Sequence, residues 1–353
     1  MKKYRVIGVM SGTSLDGMDL AYCEFSKQKT GWQYKLKEAF TYNYSEKWRT
    51  RLATVYSGSA RDLAETHTDF GLLTGEILKV FIQNHNLKPD FIATHGHTVF
   101  HNPKAFYSVQ IGSGAHTSSR VGLPVVSDFR TADVAKGGQG APLVPVGDKY
   151  LFGKYDACLN LGGFANISFD DAEGYRRAFD ISPCNMALNQ IAAKDGISMD
   201  EDGFKSRQGN IDMDLLEGLN NLEFYWRTGK KSLGKEWYED HFWPLITQSK
   251  LPVNDLLATV TEHIAFQVAR VMSNHPKRTI LITGGGAFNK YLTERIKASV
   301  AEEIILPEKK IIEFKEALIF AFLGVLRMQK EINVLKTVTG ATSDSCAGTI
   351  HLP

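Results

Sequence analysis

The sequence predicts an α/β fold in two lobes, and three observations predict it. The chain has 353 residues, more than one core of about 100–200 residues requires. Its apolar runs are short, and helical patterns between them feed one run into the next, the order of α/β proteins with mainly parallel sheets. The opening pattern at 6–25, an apolar run, a small polar turn and a second apolar run, restarts at 158–169. The restart is architectural and not a sequence repeat. The expected boundary lies near residue 150. It separates a first lobe, 1–150, from a second, 151–353, whose last helix is able to cross back.

The elements follow in order. Residues 6–10 and 20–25 read as strands around a turn with Gly12, Asp16 and Gly17. Residues 45–87 read as helical, because Leu63, Phe70, Leu73, Ile77 and Phe81 share one face. A short strand at 91–94 ends in His95-Gly96-His97-Thr98, and strand-like 107–111 stops at Gly112. A short helix at 115–120 and a strand at 123–127 follow, then a loop at 136–142 punctuated by Gly137, Gly138, Gly140 and Pro142. In the second half, Ser182-Pro183 reads as N-cap and first helical position of a helix at 185–193. Residues 253–274 form a long amphipathic helix. Strand 279–282 breaks into Gly284-Gly285-Gly286, a helix runs to about 300, a strand holds 304–305, and a final helix spans 314–330.

Composition excludes several classes. Hydrophobic residues make up 43% and charged residues 23%, as in ordinary globular proteins. A net charge of +2 supplies no electrostatic grip on nucleic acid or on an anionic membrane. No apolar run reaches the roughly 18 residues of a membrane span. The basic start, Met1 to Arg5, leads into an apolar stretch too short for a signal peptide, so a cytoplasmic protein is expected. Cys23, Cys158, Cys184 and Cys346 lack C-x-x-C spacing, which favours thiols over disulfides or a zinc site.

Most polar clusters lie at the C-terminal ends of predicted strands, where ligands bind in open α/β sheets. The small residues at 8–17, 160–166 and 284–286 could each let a backbone approach phosphate or nucleoside; the alternative is tight turns that touch nothing. Asp180 follows a strand and precedes a helix start, so it reads either as a proton acceptor kept ionised by the helix N-terminus or as a simple helix cap. Thr94 and His95 read as polar contacts to a substrate. Arg130 reads as an anion-binding fork, or as half of a salt bridge with Asp128 or Asp133. Glu316 is otherwise an ordinary first-turn acid. His95, His97 and His101 lack the companions of a zinc site.

The motifs in order resemble those of the anhydro-N-acetylmuramic acid kinases, over essentially the whole chain. They are 8–17 (Gly-Val-Met-Ser-Gly-Thr-Ser-Leu-Asp-Gly), 95–101, 110–112, 125–130, 137–145, 159–167, 284–286 and 339–341. The resemblance implies the two-lobed sugar kinase/Hsp70/actin fold with ATP in a cleft between lobes. It implies an enzyme that opens the ring of 1,6-anhydro-N-acetylmuramic acid with water and phosphorylates O6 from ATP, in cell-wall recycling. Asp180 matches the family's catalytic base. ATP would lie on Ser11, Gly12, Thr13, Ser14, Leu15, Asp16, Gly17, Asn160, Gly162, Gly163, Asn166, Gly284, Gly285 and Gly286. Thr94, His95, Arg130 and Glu316 would face the sugar, and Asp16 and Asp180 would hold Mg²⁺ through water. A homodimer is implied as well. The pattern departs from the family at Asp180-Ile181-Ser182-Pro183-Cys184-Asn185, at His97 and at Ser113-Gly114. Two rival readings remain. One is a non-catalytic ATP-binding relative. The other is a Rossmann oxidoreductase, which the absence of G-x-G-x-x-G at a strand–helix junction disfavours.

Overall fold

The computed structural model describes residues 2–12, 15–227, 231–275 and 277–353. The chain divides into two compact units, 1–152 with 314–353, and 153–313. The sequence reading carried the second lobe to residue 353 with a last helix able to cross back; by contacts, the segment from Phe314 onward packs with the first unit.

The first unit is built on a sheet of strands β1 (Lys3–Ser11), β2 (Gly17–Gln28), β3 (Gly31–Asn43), β4 (Phe91–Asn102), β5 (Tyr107–Ile111) and β6 (Val125–Ser127). A C-terminal strand, Thr349–His351, pairs with β6. The path runs from that strand through β6, β4, β1 and β2 to β3, with β5 paired to β4. Only β1–β4 and β4–β6 are parallel; β1–β2, β2–β3, β4–β5 and the C-terminal pairing are antiparallel. The sheet is therefore mixed, not mainly parallel. The β2–β3 connection is too short for the crossover that a parallel pair needs.

Three local expectations shift. The helical stretch 45–87 is two helices, Glu46–Thr54 and Ala60–Asn84, separated by a turn at Gly58 and restarted by a capping box of Ser59 and Asp62. β3 has no counterpart in the sequence reading. It is an edge strand in which Trp32 alone is buried, so no apolar stripe announces it. β4 runs on through His95, His97 and His101 to Asn102, because its second half pairs with β5.

The core of this unit packs Ile7, Val9, Leu20, Phe70, Leu78 and Ile92 together. The helix Lys309–Met328 lies against β1 at Gly8. A Cβ at Gly8 would sit 1.8 Å from the Ala317 carbonyl oxygen, so this packing admits no larger residue.

The second unit holds a five-stranded sheet ordered β11-β10-β7-β8-β9. Its strands are β7 (Ala157–Leu161), β8 (Phe164–Asp170), β9 (Arg176–Pro183), β10 (Thr279–Thr283) and β11 (Glu303–Ile305). β7, β8 and β9 form an antiparallel meander, and β10 lies parallel to both β7 and β11. The amphipathic helix Val253–Asn274 covers the sheet, burying Leu256, Leu257, Val260, Ile264 and Val268 in the same core as Leu159, Ile167 and Ile282. No helix among the described residues is long and apolar enough to cross a membrane.

Candidate active site

In the second unit, strand register brings four polar residues into one row. Thr283 on β10 pairs with Asn160 on β7, Asn160 with Asn166 on β8, and Asn166 with Asp180 on β9. Residues paired across a sheet share a face, so the row spans four strands. A bulge in β9 at Ile181 lets Asn166 oppose Asp180 while Ala165 opposes Ser182. The extra residue turns Asp180 to the polar face and Ser182 into the core, where Ser182 is 0% exposed. This corrects the reading of Ser182 and Pro183 as helix start. Both belong to β9, and the helix Asn185–Ala192 begins after Cys184, which caps it without a side-chain bond.

Asp180 is therefore not a helix cap. Its amide donates to the Lys231 carbonyl at 3.0 Å. Its Oδ2 accepts the Leu233 amide at 2.8 Å, and the Ser232 side chain donates to the carboxylate as well. Burial outweighs these donors and raises the carboxyl above its ordinary value. Asp180 lies in β9, with its amide and carboxylate held by 231–233 and not by a helix N-terminus.

Five glycines of this unit, Gly162, Gly163, Gly284, Gly285 and Gly286, gather beside the row. The β7–β8 turn is Gly162-Gly163, whose carbonyls accept the amides of Asn185, Cys184 and Met186. Asn185 Nδ2 donates to the Leu161 carbonyl at 2.9 Å. Gly284 has φ +83°, and a Cβ there would lie 2.5 Å from Asn160 Oδ1. A Cβ at Gly286 would meet Leu161 Cβ at 2.7 Å. Asn160, Gly162, Gly163, Asn185, Gly284 and Gly286 thus share one neighbourhood, and Gly285, which faces Asn185, lies between them. Asn185 was not among the expected site residues. Its signals were its place in the Asp180–Asn185 motif and its position two residues past the end of β9.

In the first unit, His95 and Arg130 are joined. His95 Nδ1 lies 2.9 Å from the Gly96 carbonyl. A carbonyl only accepts, so Nδ1 carries the proton and Nε2 is a lone pair. Arg130 donates to that lone pair from Nε at 3.1 Å and Nη2 at 2.9 Å, and from Nη1 to the Gly140 carbonyl at 2.7 Å. Burial and the adjacent guanidinium push the His95 pKa down to about 3, and burial brings Arg130 down to about 10. His95 is 5% exposed and Thr94 4%, and the Thr94 hydroxyl accepts the Gly96 amide at 3.1 Å. Both side chains are buried and engaged within the protein, and His95 orients Arg130.

Glu316 sits in the second turn of the helix Lys309–Met328, not the first. It keeps a solvent-accessible surface, yet surrounding protein strips enough hydration to raise its carboxyl. Arg130 and Lys315 oppose that rise, and repulsion from Asp19 adds to it. Asp133, 0% exposed, pairs with neither Arg130 nor a lysine. It accepts from the Gly140 amide at 2.8 Å and Thr339 Oγ1 at 2.7 Å, tying the glycine loop to the closing Thr339-Gly340-Ala341 motif.

The opening turn is only partly described. Thr13 and Ser14 lie outside the described residues. Ser11 is 2% exposed. Its hydroxyl accepts Tyr44 Oη at 2.7 Å and lies 3.1 Å from His97 Nδ1. That side chain secures the turn from below. Gly12, Leu15 (φ +62°), Asp16 and Gly17 remain at the surface of the turn, with Asp16 exposed. No group of three or more His, Cys, Asp or Glu that could hold a metal occurs among the described residues.

A family model described as "Anhydro-N-acetylmuramic acid kinase" matches residues 4–353. Curated relatives of that name align end to end: one from Methylorubrum populi is 34% identical over 388 aligned positions, covering 100% of both chains. Another, from Picosynechococcus sp., is 33% identical, covering 99% of this chain and 100% of its own. Among solved structures, the activator of the 2-hydroxyisocaproyl-CoA dehydratase from Clostridium difficile with bound ADPNP aligns at 12% identity and TM-score 0.46, covering 92% of this chain and 97% of its own.

Proposed function

The chain belongs to the anhydro-N-acetylmuramic acid kinase family, and from that membership we propose that it opens the 1,6-anhydro ring of anhydro-N-acetylmuramic acid and phosphorylates O6 with ATP, in cell-wall recycling. Asp180 takes a proton from the water that attacks the anomeric carbon. The bond from that carbon to O6 breaks, O6 attacks the γ-phosphorus, and ADP leaves. The products are N-acetylmuramic acid 6-phosphate and ADP. The observation that carries this reading is the Asp180 site. A carboxyl raised by burial, held by the Leu233 amide and aligned with Asn166 and Asn160, is a stronger base than an exposed aspartate once ionised.

The remaining roles follow from what each group has left to offer. Asn160, Asn166, Gly162 and Gly163 approach phosphate through amide groups and bare backbone, and Gly284, Gly285 and Gly286 form the nucleoside side. Gly12, Thr13, Ser14, Leu15, Asp16 and Gly17 bind phosphate through the turn, with Ser11 supporting it. Arg130, aimed by His95, and Glu316 hold sugar hydroxyls, and Thr94 acts on the strand that carries His95. Magnesium keeps most of its water, so the carboxylates of Asp16 and Asp180 are the acceptors offered to its hydration shell, and its charge would offset that of the phosphates. We assign the protein to the cytoplasm as a homodimer, which sedimentation at working concentration tests.

The deciding experiment incubates the protein with Mg·ATP and 1,6-anhydro-N-acetylmuramic acid and follows the sugar 6-phosphate by mass. Wild type forms it, and Asp180→Asn is slower by about 10³-fold or more, as for loss of a general base with its geometry kept. ATP hydrolysis without sugar consumption would refute the assignment.

A further inference from the structure

The second unit also buries a chain of polar groups whose side chains make no hydrogen bond to Asp180. Tyr225 is 4% exposed and His263 0%. Tyr225 Oη lies 2.8 Å from His263 Nε2, His263 Nδ1 lies 2.7 Å from Asn220 Oδ1, and Gln267 Nε2 donates to the same oxygen at 2.8 Å. Valence sets every direction. Asn220 Oδ1 only accepts, so His263 Nδ1 carries the ring proton. His263 Nε2 is then a lone pair, and the Tyr225 hydroxyl is its donor. Burial keeps the ring neutral, with its pKa pushed down to about 3, and keeps the phenol protonated.

Buried polar chains are costly unless every member is paired, and apolar residues of similar shape would fill the same volume without that demand. What Tyr225 touches on its other sides suggests why the chain is there. Its carbonyl accepts Lys231 Nζ at 3.1 Å. Its ring shares a cluster with Phe224 and Leu233 and meets Trp237 with centroids 6.3 Å apart. Lys231 and Leu233, on either side of Ser232, grip Asp180 through backbone, one through its carbonyl and one through its amide. The hydroxyl of Tyr225 thus ties the segment that holds Asp180 to the helix Val253–Asn274.

We propose that Tyr225 and His263 are positioning residues for Asp180: the hydrogen bond between them pins Lys231 and Leu233, and through them fixes where the carboxylate stands. The proposal rests on the reading of Asp180 as the base. Its test therefore includes a measurement that needs no turnover.

Aspartate carboxylates labelled with carbon-13 are titrated by NMR in wild type and Tyr225→Phe, with the Asp180→Asn spectrum identifying the Asp180 signal. The Leu233 amide favours the ionised carboxylate, so loosening it moves the Asp180 midpoint upward by ~0.5–1 pH unit. In the same variant kcat falls by about tenfold or more while KM for ATP holds. Adding His263→Leu removes the orphaned ring nitrogen, so thermal stability recovers while both effects persist. A Tyr225→Phe protein that melts earlier but keeps the wild-type Asp180 midpoint and kcat would show the pair to be a core fixture and overturn the proposal. A shifted midpoint in a protein whose wild type never consumes the sugar would uphold the positioning and sink the kinase reading instead.

Discussion

At the residue scale, environment and not residue type sets the chemistry. Asp180 and Asp133 are both deeply placed aspartates, but they do different work. Asp133 spends its oxygens on Gly140 and Thr339, whereas Asp180 has its carboxyl raised by burial. That shift has a sign in stability. With the folded pKa above the unfolded value, the fold favours the protonated acid. The penalty is absent below the unfolded value and grows as pH rises through the folded one. Asp180→Asn, which keeps an acceptor for the Leu233 amide, is therefore expected to melt higher than wild type at pH 8, with the gap closing toward pH 4. Matched calorimetric scans at the two pH values check this. Arg130 depends on the lone pair of His95 for its aim. His95→Leu is expected to raise KM for the sugar about tenfold and leave KM for ATP unchanged, since one buried hydrogen bond to a charged group is worth roughly 1.5–3 kcal/mol.

At the scale of elements, close approach decides more than propensity. β1 and the helix Lys309–Met328 meet at Gly8, where a Cβ would sit 1.8 Å from a backbone oxygen of Ala317. Backbone cannot swing aside as a side chain can. Gly8→Ala is expected to lose about 1–3 kcal/mol or more, the range for overpacking, seen as a lower urea midpoint at unchanged slope. The bulge at Ile181 is the second case. One extra residue in β9 places Asp180 opposite Asn166 and sends Ser182 inward. Neither feature has a propensity signature. The glycine at 8 reads as part of a motif, and the bulged residue reads as an ordinary strand position.

For the whole molecule, three buried histidines make the fold sensitive to acid. His95 and His263 are held neutral with pKa values near about 3, and His97 near about 4. All three are depressed mainly by burial. Above the unfolded value of 6.5 both states carry neutral rings and pH has no effect through them. Below it the unfolded chain takes up protons that the fold refuses, so stability falls from there toward pH 3–4 and then levels. Each ring adds a slope of about 1.4 kcal/mol per pH unit across that window. Replacing His97 by Gln should flatten the decline by one ring's share, read from urea midpoints between pH 7 and 4.5.

By itself the sequence determined the α/β class, the motif order that carries the family, the glycine-rich turns and the helix Val253–Asn274, and it singled out Asp180 as the candidate base. Each of these is written in local pattern: periodicity, a cluster of small residues, a carboxylate at a strand end. Only the tertiary structure decided the mixed pairing of the sheets, the edge strand β3, the point at Phe314 from which the chain packs with the first unit, and the pairings of His95 with Arg130 and Asp133 with Thr339. It also decided that Asp180 is a strand residue braced by Lys231 and Leu233, some fifty positions further along the chain. These are contacts between segments far apart in sequence. Register, burial and the reach of a hydrogen bond fix them, and none of the three exists until the chain has closed on itself.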